Sequence, residues 1–340
     1  MSTKNGNNRS FIVSGLGAMG RQVADALVDR GWTLAGAVDV VADDQKKEWL
    51  AQRAPNAHLF AGISDVPERS ARLCVLTTNS MLAEVAPQVK AALDLGMNVL
   101  SSAEELAYPW ARQAELAEEL NRYAEERGLA VLGTGINPGF MMDILPICLS
   151  VACIDVESIS VQRTNDLSAF GPSVLRSFGV GLSEEEFHVQ MERGDVVGHV
   201  GFAESIQMIA SGVGLTFDRI EETAEPIIAQ RRRSAASVLV EPGLVVGCVQ
   251  IATAYREGVA VISLRHPQQI DPLAEGVETG DHIIIRGRPS IEMRISPEVA
   301  GGTGTVALLA NTAEYVASDG VIGLRSMLDV PLQRLRPAKE

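Results

Sequence analysis

Two adjacent carboxylates, Glu104 and Glu105, follow the strand-like run Asn98–Ser102 after Ala103. A carboxyl group beside a strand end, with apolar neighbours, suits general acid/base work, because burial lifts its pKa toward neutrality. Leu106, Phe140, Met141 and Met142 are residue types that would supply such surroundings. The structural alternative is an acidic pair at the start of a helix, where the macrodipole favours negative charge. One of the two glutamates fits that role, and position alone leaves open whether the other is catalytic. Lysine offers no competitor. The chain has Lys4, Lys46, Lys47, Lys90 and Lys339, and none between 91 and 338. Neither a Schiff base nor a lysine proton donor can come from that interval. The five histidines, at 58, 188, 199, 266 and 282, lack metal-ligand spacing, and no metal is expected.

A second chemical signal lies near the N-terminus. Phe11-Ile12-Val13 reads as a buried strand and runs into Gly15-Leu16-Gly17-Ala18-Met19-Gly20. Apolar residues at Met19, Val23, Ala24, Leu27 and Val28 then share one helix face, and Gly31 stops the helix. Strand, G-x-G-x-x-G turn and helix in this order form a dinucleotide site. The first glycine makes the tight turn, the second admits the pyrophosphate, and the third lets helix and strand pack closely. The amides at the helix start face the phosphates. Trp32–Val40 reads as the next strand, and Asp39 at its end lies nineteen residues after Gly20, where a ribose-binding acid belongs. Asp39 favours NAD over NADP, while Arg21 and Lys46 partly offset its charge.

These residues need a scaffold that gathers strand ends. Leu73–Thr77 reads as a strand that exits into Thr77-Thr78-Asn79-Ser80, and Asn98–Ser102 exits at Ser101 into the glutamate pair. Leu129–Gly133 exits into Thr134-Gly135-Ile136-Asn137-Pro138-Gly139-Phe140. Helical segments alternate with them: Asp43–Arg53, Met81–Leu95 with Pro87 interrupting it, and a long helix over Pro109–Arg127. This alternation predicts a doubly wound parallel sheet of Rossmann type, with ligands beyond the carboxyl ends of its strands. Thr77, Thr78, Asn79 and Ser101 therefore join the glycine loop and Asp39 as cofactor-binding candidates. Asn137 and Pro138 are substrate-binding candidates, and Phe140, Met141 and Phe170 are candidate apolar walls.

The pattern changes after about residue 150. Strands are expected at Val238–Val249, Val259–Leu264, His282–Arg286 and Ile291–Ile295, and helices at Ser183–Arg193 and Ala203–Gly212. This predicts a second, α+β domain built on an antiparallel sheet, over 146–302. The first domain covers 1–145, and 303–340 returns to it through the helix Val306–Ala317, with Gly301–Thr305 as a hinge. Arg231-Arg232-Arg233 reads as a solvated turn. MSTKNGNNRS reads as a disordered lead-in without the apolar segment of a signal peptide.

Composition narrows the partners. The net charge of −14 argues against nucleic acid and anionic membranes, and no apolar run reaches the length of a membrane span. Cys74, Cys148, Cys153 and Cys248 form no C-x-x-C pair and read as reduced thiols of a cytoplasmic protein. An antiparallel sheet needs its open face covered, which a homodimer would do.

GLGAMG, NVLSSAEELAYP, GTGINPGFMMD, HVGFAESIQMIASGVG followed by FDRIEETAEPIIA, and GGTGTVALLANTAEYV followed by GLRSMLDVP span nearly the whole chain. Through these motifs it resembles the 2,4-diaminopentanoate dehydrogenases and related native amine dehydrogenases. The resemblance implies a nucleotide-binding domain like that of dihydrodipicolinate reductase, an antiparallel-sheet substrate domain and a homodimer. It also implies NAD(P)-dependent interconversion of an amine with a ketone or aldehyde plus ammonia, with a glutamate in SSAEEL in place of a lysine. Alignment by strand position makes that glutamate Glu104. In Arg163–Gly181 the uncharged stretch SAFGPS replaces a loop that is often more basic in the family, which favours a less polar amine or carbonyl over a diamino acid. The two other readings are an imine or carbonyl reductase that needs no ammonia, and a non-catalytic NAD(P) sensor.

Overall fold

The computed structural model describes residues 9–331. Residues 1–8, where the polar lead-in was expected, lie outside them. The chain divides into two compact units, residues 1–140 with 302–340, and residues 141–301.

The first unit contains β1 (Ser10–Ser14), α1 (Ala18–Asp29), β2 (Thr33–Val38), α2 (Asp44–Arg53), β3 (His58–Phe60) and β4 (Leu73–Leu76). It continues with α3 (Leu82–Asp94), β5 (Asn98–Ser101), α4 (Ala114–Glu125) and β6 (Ala130–Gly133). The second unit contains α5 (Ile144–Ser150), β7 (Asp155–Asp166), α6 (Pro172–Ser177), α7 (Glu184–Arg193), α8 (Phe202–Val213), β8 (Arg219–Ile228), the short hairpin β9 (Arg233–Ala235) and β10 (Val238–Val240), β11 (Val245–Arg256), β12 (Val259–Gln269), β13 (Gly280–Arg288) and β14 (Ile291–Ile295). The chain ends with α9 (Gly301–Val316) and β15 (Gly323–Arg325).

The first sheet is parallel throughout, in the order β15-β6-β5-β4-β1-β2-β3. β1, β4, β5 and β6 are buried at every residue, as continuous apolar runs covered on both faces must be. The chain reverses direction across the sheet between β1 and β4, and that switch point is where such folds bind ligands. α1 buries Gly20, Val23, Ala24 and Leu27, the face its sequence spacing specifies. Asp43 caps α2 by accepting from the Lys46 amide at 2.9 Å.

Several elements differ from the sequence expectation. The segment after β5 is not one long helix: it makes two short 3₁₀ turns, Glu105–Ala107 and Pro109–Ala111, before α4 begins. Gly133 explains the close path, since a Cβ there would stand 2.3 Å from the Leu106 carbonyl carbon. The glycines expected to form a hinge lie inside α9, which begins at Gly301. A Cβ at Gly304 would stand 2.6 Å from Ile136 Cδ1, so the glycine is where Ile136 packs against the helix.

The second sheet is mixed rather than antiparallel. Its order is β14-β13-β7-β12-β11-β8, and β7 and β12 pair in parallel while the other neighbours are antiparallel. β8 was missed because FDRIEETAEPIIA is too charged to read as a strand. The expected strand Val238–Val249 is two strands, with Gly243 at a positive φ between them. On one face, Ile159, Val161, Ala252, Ala254, Ile262, Leu264, Ile283 and Ile285 form a core with Phe202, Ile206 and Ile209 of α8. Arg231-Arg232-Arg233 is not a solvated turn at its last residue. Arg233 is fully buried and donates to the Ile270 and Asp271 carbonyls and to Glu275, pinning the small hairpin.

Candidate functional site

The first unit gathers the dinucleotide signals at its switch point. Gly15 has a φ of +94°, a left-handed conformation that favours glycine, and its amide donates to the Val38 carbonyl at 2.8 Å. A Cβ on Gly20 would lie 1.8 Å from the Gly15 carbonyl oxygen, so only glycine lets α1 approach β1 this closely. Gly17 caps α1 and is open, since a Cβ there would meet nothing within 4 Å. Leu16 is buried beneath the loop, Ala18 is exposed, and Met19 and Arg21 are half-buried on the first turn of α1. An open glycine at a helix start, over a strand exit, is a cradle that fits a pyrophosphate.

Asp39 completes this cradle. Its Oδ2 accepts from the Leu16 amide at 2.8 Å, and its Oδ1 accepts from the Val41 amide at 2.8 Å and from Lys46 Nζ at 2.9 Å. Burial works to raise its pKa, but these three donors outweigh it and hold the carboxyl below its usual value. Exposed Val40 and Val41 follow it, an apolar surface that could receive a base.

The exits of β4 and β5 contribute the next residues. Thr77 Oγ1 donates to the Gly15 carbonyl at 2.9 Å and so fastens the glycine loop to β4. Thr78 donates to Gln88, and Asn79 Oδ1 accepts from the Met81 amide at the start of α3. Ser101 is buried, with its hydroxyl donating to the Leu76 carbonyl and accepting from the Ala103 amide. These four side chains shape the strand exits through bonds to the protein itself.

The two glutamates separate clearly. Glu105 is buried, and its Oε2 accepts from the Leu82 amide at 2.7 Å and from Gln113 Nε2 at 2.8 Å. It caps the start of α3, a helix that precedes it in sequence. Glu104 keeps part of its residue surface open, while its carboxyl lies deep enough that burial pushes its pKa up. A hydrogen bond from Ser80 works in the opposite direction, and the Glu105 charge adds to the rise. A carboxyl lifted in this way at a strand exit holds its proton more readily than an ordinary exposed carboxyl and can return it.

The loop after β6 is compact. Gly139 has a φ of +131°, and a Cβ there would lie 2.5 Å from the Gly135 carbonyl oxygen. The Asn137–Pro138 bond is cis, and both residues are buried. The Ile136 amide donates to Thr305 Oγ1 at 3.1 Å, which ties the loop to the first turn of α9. Phe140 is half-buried here. Met141 and Phe170 belong to the second unit, where Met141 is buried and Phe170 packs in an apolar cluster with Leu167 and Leu175.

The second unit holds a polar constellation that no spacing rule announced. His266 Nε2 lies 2.6 Å from Asn165 Oδ1, and the His199 and His266 rings meet edge-on with centroids 5.0 Å apart. Burial drives both imidazoles toward the neutral form, His199 to about 4, and the Arg163 guanidinium adds to the effect. Arg163, itself buried, is met by Asp281 at 2.5 Å and by Glu298 at 3.8 Å. Asp143 Oδ2 accepts from Ser205 at 2.7 Å. His266 and Asn165 lie on neighbouring strands 101 positions apart in sequence, so only the strand pairing reveals them. Among the described residues, no group of three or more His, Cys, Asp or Glu could hold a metal ion.

A family model for the 2,4-diaminopentanoate dehydrogenase C-terminal domain matches residues 140–337. A 2,4-diaminopentanoate dehydrogenase of Acetoanaerobium sticklandii is 39% identical over 330 residues, 95% of this chain and 93% of the relative. An amine dehydrogenase of Streptomyces virginiae is 26% identical over 234 residues, 63% of this chain and 62% of the relative. Among solved structures, an amine dehydrogenase from Mycobacterium smegmatis aligns with a TM-score of 0.85 at 22% identity, over 97% of this chain and 98% of its own. The WlbA dehydrogenase from Thermus thermophilus, solved with NAD and alpha-ketoglutarate, aligns with a TM-score of 0.53 at 15% identity, over 96% and 97%.

Proposed function

The chain belongs to the 2,4-diaminopentanoate dehydrogenase family, and from that premise we propose that Glu104 handles the protons of its reaction. The protein is an NAD(P)-dependent amine dehydrogenase, which interconverts an amine with a carbonyl compound and ammonia. The bound nicotinamide supplies or accepts the hydride. Gly15, Leu16, Gly17, Ala18, Met19 and Gly20, with Arg21 beside them, hold the pyrophosphate, and Asp39 meets the adenosine ribose.

In the direction of amine formation, Glu104 as the carboxylate orients ammonium and takes one of its protons. It returns a proton to the hydroxyl that leaves as water, so the carboxyl begins and ends the cycle in the same state. Asn137 positions the substrate, and Phe140 in the same loop favours a weakly polar one. The observation that carries this reading is the division of labour in the pair. Glu105 is spent on capping α3, while Glu104 has a burial-raised pKa.

Glu104→Gln is expected to lower turnover about a hundredfold or more, the scale of a positioned acid/base, while NADH still binds. The variant should be no less stable, because it removes a carboxylate whose ionisation burial opposes. Glu105→Gln should instead lose stability, by about 1–3 kcal/mol, since both bonds to Glu105 are charge-assisted and a neutral amide oxygen accepts them more weakly. Steady-state kinetics, NADH titration and thermal melts of both variants check this. Near wild-type turnover in Glu104→Gln would overturn the assignment.

We also propose a homodimer in the cytoplasm. Ile251, Thr253 and Tyr255 of β11, Ser263 of β12 and Ile284 of β13 alternate with core residues and so lie on the opposite face of the second sheet. That mixed face suits a second copy. Four free cysteines are compatible with a reducing compartment.

A further inference from the structure

The residue beside Asp39 alters what that acid can discriminate. Sequence alone made Asp39 a repellent for a 2′-phosphate, offset only in part by Arg21 and Lys46. In the structure Lys46 Nζ stands 2.9 Å from Asp39 Oδ1, and Asp39 Oδ2 is already engaged by the Leu16 amide. The ammonium thus sits at the very oxygen left to meet the ribose hydroxyls, and it is well covered, with 16% of its side-chain surface exposed. Of its three donors, one goes to Asp39 and one to the Val41 carbonyl at 2.8 Å. Asp43 Oδ2, at 3.7 Å, is too far for a hydrogen bond and lies on a more exposed side chain. One N–H of Lys46 is therefore uncommitted among the described residues. The Asp39 carboxylate is neutralised at contact distance.

We infer that Lys46 is the residue that sets the choice between NAD and NADP: it cancels the repulsion from Asp39 and gives a 2′-phosphate a cationic partner. The chain consequently accepts both dinucleotides. This rests on the cofactor reading above and adds the residue that governs it. The stem of Lys46 is held by α2, whose start Asp43 caps, so the ammonium is presented rather than left to search.

The test is direct binding of NAD⁺ and NADP⁺ to wild-type protein and to Lys46→Met and Lys46→Arg, by isothermal titration calorimetry. In wild type the two affinities should lie within about tenfold of each other. Lys46→Met should lower the NADP⁺-to-NAD⁺ affinity ratio about tenfold or more, the scale of one charge-assisted hydrogen bond. Lys46→Arg should keep most of the ratio. Raising the salt concentration should weaken NADP⁺ binding to wild type more than to Lys46→Met, because the contact is ionic. A ratio unchanged within twofold in Lys46→Met would overturn the inference while leaving the cofactor site intact. Wild-type protein that binds neither dinucleotide would overturn the cofactor reading itself, and this inference with it.

Discussion

At the scale of single residues, the site depends on how neighbours divide their hydrogen bonds. Glu104 and Glu105 are the same residue type one position apart, and the difference between them comes from what each carboxylate accepts. Ser80 ties the difference to pH. Its hydrogen bond favours the ionised form of Glu104 and opposes the rise that burial causes. Ser80→Ala removes that opposition, so the Glu104 pKa should rise further. If the carboxylate form starts the cycle in the direction of amine formation, the acid limb of the kcat/KM profile moves to higher pH. A pH-rate profile of Ser80→Ala checks it, and a limb that stays or moves to lower pH contradicts the role given to Glu104. The pair was legible in the sequence as a candidate because it follows an apolar run. Strand position already divided it, with Glu104 as the acid/base; the helix that Glu105 caps was not legible, because its donors come from Leu82 and Gln113, on either side of it in the chain.

At the scale of elements, the strands of the first sheet buried on both faces were read correctly, as was the half-exposed β14 at its expected bounds. β1, β4, β5 and β6 are short continuous apolar runs with polar or glycine exits, and their composition names them without tertiary context. β8 and the 3₁₀ turns after β5 lacked such marks. β8 lies at the edge of the second sheet, where charged residues are tolerated, and its alternation is weak. The 3₁₀ turns follow a path set by Gly133 on another strand. The place of Asp39 beside the glycine loop was legible from its spacing, but its ion pair with Lys46 depends on where α2 starts.

Between β14 and α9, Glu298 meets the buried Arg163–Asp281 pair. Burial pushes the Glu298 carboxyl up to about 7 from an ordinary 4.5. The Asp166 amide and the Arg163 charge oppose this, while the Asp281 and Asp166 carboxylates reinforce it. The folded chain therefore binds this proton more tightly than the unfolded chain, and the group's contribution to stability is lost as pH rises from about 4.5 to about 7. Glu298→Gln keeps the acceptor for the Asp166 amide and carries no charge. Relative to wild type, its Tm should be higher at pH 8 than at pH 5. The same relative Tm at both pH values would contradict the account.

At the scale of the molecule, a parallel sheet with a glycine cradle is joined in one chain to a mixed sheet with one apolar face. The first was legible in its five inner strands, because a dinucleotide site needs glycine, helix and acid at fixed spacing, while its short edge strands β3 and β15 were not. The second was legible in outline only. Its polar constellation of His199, His266, Asn165 and Arg163 is assembled by strand pairing rather than by spacing. The outer face of that sheet should make the protein a homodimer, seen by multi-angle light scattering at micromolar concentration as twice the chain mass of 36.3 kDa. A monomer under those conditions would contradict the proposed use of that face. Among the described residues no helix is long and apolar enough to cross a membrane. The central claim is that the protein joins ammonia to a carbonyl carbon at the expense of a nicotinamide hydride. It is tested most directly by following NADH and NADPH oxidation over a panel of ketones and aldehydes, each with and without ammonium. Oxidation that requires ammonium and yields the amine is the predicted result. Oxidation at the same rate without ammonium, or none with any member of the panel, would contradict it.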